Sequence, residues 1–400
     1  MTSGITCLVT LHGVGYEQPP QDGVDNSGYA DPLHQHLKLY LGDRLSDDPR
    51  RQRNVPGENG AIYVESRWLD PQGRASREEG MKRLGTWNDD FQQIDTSAAP
   101  LRSGEEPFAH VALVYSNLEP TGPAPGAALM TLGMGLFSMS HYTSALDLLH
   151  LALTDAMAAF RHSAAAREPV STLPRNDLGP RSARFAGHRV QAAPPSSVGL
   201  LAMFRDLEDD VACYVCYNEE RERVRSFVRE ALMRLACRSD VQSLVLNTHS
   251  NGSVIAFDVL RHLPALVTRK VKAFVTAGSP LRKYVDLFHW GNQIQGLTRV
   301  EPWYNFWDRY DPVADPLAPP LSWRPGHPIQ TSQERLFCRI DPQSETSLWV
   351  QVEDCEVNNV EKSRGGGLQA HNYWDNEEQV VRPLADIVCQ SAGTLLHTTF

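Results

Sequence analysis

The chain has 400 residues, of which 41% are hydrophobic and 22% charged, and its formal net charge is −10. This length and composition are typical of a globular protein with one large domain or two ordinary ones. The acidic balance and the lack of a dense Lys/Arg block argue against a nucleic-acid partner, because phosphate binding needs a basic protein face.

Seven cysteines are scattered along the chain, an odd number that favours reduced thiols over a disulfide framework. No basic segment and no small-residue cleavage site precede the first apolar run, so the sequence shows no signal peptide and we expect a cytoplasmic protein. No apolar run is long enough to predict a transmembrane segment.

Short apolar runs separated by helical patterns predict the fold. The predicted strands are Ile5–Leu11, Ala61–Ser66, His110–Tyr115, Ser243–Asn247, Val271–Thr276, Trp303–Trp307 and Ser347–Val352. Apolar residues at three- and four-residue spacing predict helices over Arg221–Cys237, Ser253–Leu263 and Asn376 to about Leu396. Continuous apolar strands alternating with helices indicate an α/β protein with a doubly wound, mostly parallel sheet.

The middle of the chain departs from this pattern. Ala127–Met139 is strongly apolar, Thr143–Arg161 has helical spacing, and Glu168–Gly199 is polar without periodicity. We predict that residues 120–199 are a helical cap or lid with a long loop, inserted into a main domain formed by residues 1–119 and 200–400. The alternative is that Ala127–Phe160 is an ordinary pair of core helices.

Ser250 stands between a predicted buried strand and a predicted buried helix. The sequence Thr248-His249-Ser250-Asn251-Gly252 follows Gly-x-Ser-x-Gly except for Thr248 at the first glycine position. A serine at such a turn holds its hydroxyl beside a helix amino end, which favours the negative charge of an attacked carbonyl. The sequence therefore predicts a nucleophile at Ser250, and the alternative is a structural turn serine.

A glycine-containing turn, His12-Gly13-Val14-Gly15, follows the first predicted strand. Its backbone N–H groups would face the same sheet edge, and we expect Val14 and Asn251 to supply an oxyanion hole, with Gly13 as the alternative to Val14. A phosphate-binding turn is the competing interpretation, but the third glycine and the acidic residue of dinucleotide sites are missing.

Acidic residues follow the strand Trp303–Trp307. Asp311, which precedes Pro312, is the predicted acid, Asp308 is the second candidate and Asp315 the third. The alternative is an ordinary turn aspartate, a residue common in turns.

His371 is the predicted base, because it is the histidine between the last predicted strand and the final helix. A loop at that place can reach over the sheet edge to the serine. His327, in a Pro-rich loop, and His397, at the terminus, are poorer candidates. His249 adjoins the nucleophile in sequence, so we expect its side chain to point away from the site.

Two further pairs have the residue types of metal ligands. Cys213-x-x-Cys216 and His34-x-His36 each lack additional ligands at a suitable spacing, so we interpret both as packing or surface residues. The sequence predicts neither a metal site nor a cofactor.

Taken in order, Ser250, Asp311 and His371 with an upstream glycine turn resemble the α/β-hydrolase superfamily. Within that superfamily, the chain looks like the lipase and serine-esterase branch. The motifs that carry this resemblance are Thr248-His249-Ser250-Asn251-Gly252, Ala277-Gly278-Ser279-Pro280-Leu281, Asp311-Pro312-Val313 and His371-x-Tyr373. The resemblance covers roughly residues 5–115 and 221–374 and leaves out the insertion. It implies an acyl-enzyme ester hydrolase that needs no metal.

The expected substrate is a small-molecule carboxylic ester with an apolar acyl or aryl group, lipid-like esters included, because Ala127–Met139 would suit an apolar lid. A dimer interface would show the same apolar run, which leaves a homo-oligomer open. An acyltransferase or thioesterase on the same fold is the nearest alternative. A catalytically silent scaffold that binds a ligand or partner is the alternative from another class.

Overall fold

The computed structural model describes residues 4–13, 28–45, 61–66, 77–101, 108–115, 214, 218–282, 297, 300, 302–311, 313–318, 336–341, 344–362 and 369–392. The predicted insertion at 120–199, Val14, His327, His397, Cys213 and Cys216 lie outside these residues.

The described elements alternate between strands and helices. The strands are β1 Ile5–Leu11, β2 Ile62–Glu65, β3 Thr86–Trp87, β4 Ile94–Asp95, β5 Phe108–Val114, β6 Val241–His249, β7 Val271–Ala277, β8 Trp303–Trp307, β9 Cys338–Asp341, β10 Ser344–Val350 and β11 Val352–Glu356. The helices are α1 Asp31–Leu45, α2 Arg77–Met81, α3 Asn218–Cys237, α4 Asn251–Leu260, α5 Ala265–Thr268, α6 Asn359–Lys362 and α7 Arg382–Ser391. Short 3₁₀ turns at Lys82–Leu84, Gln369–His371 and Tyr373–Asp375 and a π-helical turn at Glu377–Val381 complete the described elements.

Seven strands form one sheet in the order β11-β8-β7-β6-β1-β5-β2, and every neighbouring pair is parallel. Every residue of β1 is buried, and so is every residue of β6 except Gln242. A parallel sheet covered on both faces requires such strands. The fold is therefore the predicted α/β architecture with a parallel sheet.

Helices cover both faces of the sheet. On one face, Val9 and Leu246 pack in a core with α3 and α4. On the other, Leu8 and Val245 pack with α1 and α7. The chain therefore leaves neighbouring strands β1 and β6 toward opposite faces, which makes a crevice at their carboxyl ends.

One predicted strand was wrong. The run Ser347–Val352 is not the seventh strand of the main sheet, because β10 pairs antiparallel with β9 in a separate two-stranded sheet. The edge of the main sheet is β11 instead. An edge strand needs fewer apolar residues, and β11 alternates buried Val352 with charged, exposed Glu353 and Glu356, so its hydrophobic signal is weak.

Candidate functional site

Ser250 lies in a strained turn between β6 and α4. Its backbone has φ 52° and ψ −130°, a left-handed conformation that is rare for a residue other than glycine. The Ser250 N–H donates to Ala277 O at 2.9 Å, which ties the turn to the end of β7. Strain of this kind persists where the surrounding structure enforces it, and it clusters at functional sites.

Thr248 fits the position where the motif usually has glycine. Its side chain is fully buried, and its hydroxyl donates to Val275 O at 2.9 Å. The extra polar group is therefore paired with the neighbouring strand, and the departure from the motif leaves the turn intact.

Two glycines allow β1 and α4 to approach each other. A Cβ atom on Gly252 would lie 2.3 Å from His12 O, so the first turn of α4 rests on the end of β1. A Cβ atom on Gly13 would lie 2.4 Å from Ser250 Cβ and 3.0 Å from Ser250 Oγ. The glycine turn after β1 therefore borders the serine, as the sequence predicted.

The turn at Gly13 is fixed by a polar aromatic stack. His12 Nδ1 donates to Gly13 O, and the His12 ring stacks on Tyr115 with a centroid separation of 4.4 Å. The Tyr115 hydroxyl donates to His12 O at 2.9 Å. Burial lowers the pKa of His12 to about 4, only partly offset by the bond to Gly13, so this imidazole is neutral at pH 7.

Asp311 and His371 form a hydrogen-bonded pair. His371 Nδ1 lies 2.7 Å from Asp311 Oδ2; the carboxylate is fully buried and the imidazole is 15% exposed. Burial raises the pKa of Asp311, but the neighbouring His371 charge and hydrogen bonds from His371, Val313 N–H and Tyr373 outweigh it, so the pKa is lowered overall. The carboxylate is thus ionised and holds the imidazole by one nitrogen.

The second and third acid candidates have other partners. Asp308 accepts the N–H groups of Tyr310 at 2.8 Å and Asn359 at 2.6 Å, which fixes the turn after β8. Burial, partly opposed by these bonds, raises the pKa of Asp308. Asp315 accepts a bond from Asn305 through its backbone oxygen. Within the described residues, Asp311 is the aspartate that binds His371.

The prediction that His249 points away from the site was wrong. Its Nε2 donates to His371 O at 2.9 Å, and the two rings are 4.5 Å apart. The turn at Ser250 therefore leaves the His249 side chain at the sheet edge, against His371. Burial, then the adjacent His371 charge, lowers the pKa of His249 to about 3, which leaves its ring neutral beside the paired histidine.

Gly278, after β7, lies between the serine and the histidine. It has φ +62°, and a Cβ atom there would lie 2.8 Å from His371 Cε1. It directly follows Ala277, whose oxygen accepts the Ser250 N–H. The serine turn and His371 therefore flank the end of β7, although no hydrogen bond joins Ser250 Oγ to His371 among the residues that the structure describes.

The structure describes two of the three candidate oxyanion donors, Asn251 and Gly13. Asn251 is the first residue of α4 and is buried next to Ser250, at the positive end of the helix dipole. Val14 lies outside the described residues, and the described neighbour Gly13 borders Ser250.

Tyr373 is a residue of the candidate site whose contact the sequence did not predict. Its hydroxyl donates to Asp311 Oδ2 at 2.9 Å. The one signal in the sequence is that Tyr373 stands two residues after His371. The 3₁₀ turns that carry these two residues determine whether Tyr373 reaches the Asp311 carboxylate.

The histidines of the His34-x-His36 pair have separate partners. His34 Nδ1 lies 3.2 Å from His110 Nδ1, and His36 Nε2 lies 3.4 Å from a Glu377 carboxylate oxygen. The described part of the chain contains no group of three or more His, Cys, Asp or Glu side chains that could hold a metal ion. Among its helices, none is both long and apolar enough to cross a bilayer.

No protein-family model matches the chain, and neither a curated protein nor a solved structure matches it. A function for the chain has to be inferred from its own residues and their geometry.

Proposed function

We propose that the chain is a serine hydrolase that cleaves carboxylic esters through an acyl-enzyme on Ser250. The observation that carries the proposal is the buried 2.7 Å bond between Asp311 and His371, at the same sheet edge as the strained Ser250 turn. A carboxylate that orients an imidazole beside a serine at a helix amino end is the arrangement that nucleophilic acyl transfer needs.

In the first half of the reaction, His371 Nε2 takes the proton of the Ser250 hydroxyl as Oγ attacks the ester carbonyl. Asp311 holds Nδ1–H, fixes the tautomer and stabilises the imidazolium that forms. His371 then gives the proton to the departing alcohol. The bond between Ser250 and His371 would form on substrate binding, as catalytic hydrogen bonds often tighten only in the complex.

The negative charge that develops on the carbonyl oxygen needs donors. We assign this role to the backbone N–H groups of Asn251 and Val14, with Gly13 as the alternative to Val14. Each donor of this kind typically supplies about 3 kcal/mol of transition-state stabilisation. In the second half, His371 activates water, which releases the acid and restores Ser250.

The proposal includes the α/β-hydrolase fold, with residues 120–199 as a cap over the site and an apolar acyl or aryl ester as substrate. The parallel sheet and the position of the serine turn at the crevice between β1 and β6 support it. Esters of increasing acyl length test the substrate class, and a preference for the shortest acyl chains counts against a lipase.

The test of the mechanism is ester turnover by wild type and by Ser250→Ala. We expect the substitution to lower kcat by about 10³-fold or more, because the nucleophile is lost. Ser391→Ala is the matched control, since among the described residues its hydroxyl bonds to Ile387 O within α7, away from the site. Full esterase activity in Ser250→Ala would overturn the proposal.

A further inference from the structure

Tyr373 occupies a position between the two aspartates of the turn after β8. Its side chain is fully buried, its Oη lies 2.8 Å from Asp308 N, and it lies 2.9 Å from Asp311 Oδ2. The directions of both bonds are fixed by chemistry. A backbone N–H can only donate and a carboxylate can only accept, so Tyr373 accepts from Asp308 and donates to Asp311.

We propose that Tyr373 is a positioning residue that locks the Asp311 carboxylate in the rotamer and charge state needed to hold His371. The inference rests on the proposed hydrolase function. It adds a fourth member to the Ser250, His371 and Asp311 set, one that acts through Asp311 rather than on the substrate.

The hydrogen bonds at Asp311 show why a second side-chain donor matters. Oδ1 accepts the Val313 N–H at 2.9 Å, and Oδ2 accepts both His371 Nδ1–H and the Tyr373 hydroxyl. A fully buried carboxylate is costly unless such donors compensate it. Tyr373 therefore stabilises the charge on the oxygen that binds His371 and fixes the direction of that oxygen.

The bond from Asp308 prepares the tyrosine for this role. A hydroxyl that accepts one hydrogen bond becomes a stronger donor, so the chain Asp308 N–H, Tyr373 O–H and Asp311 carboxylate is cooperative. Burial, and after it the Asp311 charge, raises the pKa of Tyr373 well above its usual range, so the phenol stays protonated and remains a donor.

Within the described part of the chain, the ionisable groups beside this chain of bonds are His249, His371 and the Asp308 carboxylate. The neutral His249 ring lies 6.0 Å from the Tyr373 ring, and the His371 ring lies 6.1 Å from it, edge-on. The Asp308 carboxylate accepts backbone N–H groups of its own, those of Tyr310 and Asn359 among them. The charge that Tyr373 binds directly is that of Asp311, and the charge of Asp308 acts on it more weakly.

The pH dependence follows from the charge of the pair. The reaction starts from neutral His371, and the Asp311–His371 pair then carries a full negative charge. The Tyr373 bond stabilises this charged pair more than the protonated pair, whose net charge is zero. Loss of this donor favours protonation of the pair. The acid limb of the kcat/KM profile then moves to higher pH.

The test is Tyr373→Phe, assayed on a short chromogenic ester across pH. We expect kcat to fall about 10- to 100-fold, the factor for losing a hydrogen bond to a charged group, with KM nearly unchanged. The acid limb moves up by about half a pH unit or more. A second variant carries 3-fluorotyrosine at position 373, whose hydroxyl is a stronger hydrogen-bond donor in nearly the same volume. We expect it to shift the acid limb of the profile to lower pH. It tests the proposal even if the phenylalanine variant fails to fold.

The matched control is Tyr214→Phe. Tyr214 is also buried and donates to an aspartate, Asp258 Oδ2, at 3.0 Å, but that aspartate is paired with Arg225 rather than with the site. We expect it to change stability without changing kcat or the acid limb. If the Tyr373 variants keep the wild-type kcat and acid limb, Tyr373 has no positioning role. Wild type without Ser250-dependent esterase activity would instead overturn the proposed function itself.

Discussion

Asp308 and Asp311 lie three residues apart in the turn after β8 and have different partners. The turn is closed by a bond from Asp311 N–H to Asp308 O at 3.0 Å. Asp308 then binds backbone donors that hold the turn and α6, whereas Asp311 binds the two side chains His371 and Tyr373. The first is a structural carboxylate, and the second can act on the imidazole.

This difference predicts opposite results for the two amide variants. Asp311→Asn should lower kcat by about 10⁴-fold, because an amide cannot hold the required imidazole tautomer. Asp308→Asn should lower the free energy of unfolding by about 1–3 kcal/mol through one weakened buried bond, while kcat stays within about tenfold of wild type. Ester kinetics with denaturant unfolding checks both, and equal losses of kcat in the two variants would refute the assignment.

At this scale the sequence predicted that Ser250, Asp311 and His371 lie at one sheet edge. The structure joins Asp311 to His371 by a hydrogen bond, and the contact between Ser250 and His371 stays a prediction. Strand ends alone suffice to predict the shared edge, because the carboxyl ends of parallel strands share one edge. The sequence could not predict the contacts of His249 and Tyr373. These depend on the exact backbone of the Ser250 turn and of the short turns around His371, for which residue order gives no signal.

The segment that carries His371 is an unusual helix start. Two 3₁₀ turns are followed by the π-helical turn Glu377–Val381 and then by α7, where the sequence predicted one helix from Asn376. The fully buried Asn376 caps this start by accepting Gln379 N–H, and it donates to Asn359 Oδ1 at 2.9 Å. Asn359 in turn donates to Ala370 O at 2.8 Å, so a pair of buried asparagines holds the residue before His371.

A second element-scale feature joins α1 to the sheet. His34 of α1 and His110 of β5 meet through their Nδ1 atoms, and His110 Nε2 lies 2.7 Å from Thr10 Oγ1 of β1. Two imidazoles in such contact share one proton between the facing nitrogens, so both cannot be cationic. Burial, and then Lys38, lowers the pKa of His34 to about 4. Burial, and then His34, lowers the pKa of His110 well below its usual value.

The pair makes stability depend on pH. Between about pH 6.5 and 4 the histidines bind protons in the unfolded chain but not in the folded protein. The free energy of unfolding therefore falls as the pH falls. Each buried histidine contributes a slope of up to about 1.4 kcal/mol per pH unit. We expect the free energy of unfolding of His34→Gln to depend less steeply on pH than that of wild type, by up to about 1.4 kcal/mol per pH unit. Denaturant unfolding at pH 7, 6 and 5 measures both slopes.

His262→Gln is the control for this prediction, because the side chain of His262 is 49% exposed. A slope for His34→Gln that equals the wild-type slope would show that the histidine pair does not carry the effect.

Over the whole molecule, the site lies where the chain reverses direction along the sheet. The strand β1 has β5 on one side and β6 on the other, and the helices that follow β1 and β6 cover opposite faces. The apolar strands predicted the α/β class and the site edge. The strand order could not be predicted from the sequence. Any of β2, β5 and β6 could have paired with β1, and tertiary packing decides that β5 and β6 do. The edge strand β11 was missed for a different reason, because its partly exposed, charged residues give a weak hydrophobic signal.

The central claim is that Ser250 is an activated nucleophile. The most direct measurement is reaction of the folded protein with a fluorophosphonate probe, followed by mass-spectrometric mapping of the modified residue. The Asp311–His371 pair and the Ser250 turn predict rapid, stoichiometric labelling on Ser250, slowed strongly by Asp311→Asn and absent in Ser250→Ala. Folded wild-type protein that stays unlabelled, or that is labelled at another residue, would contradict the account.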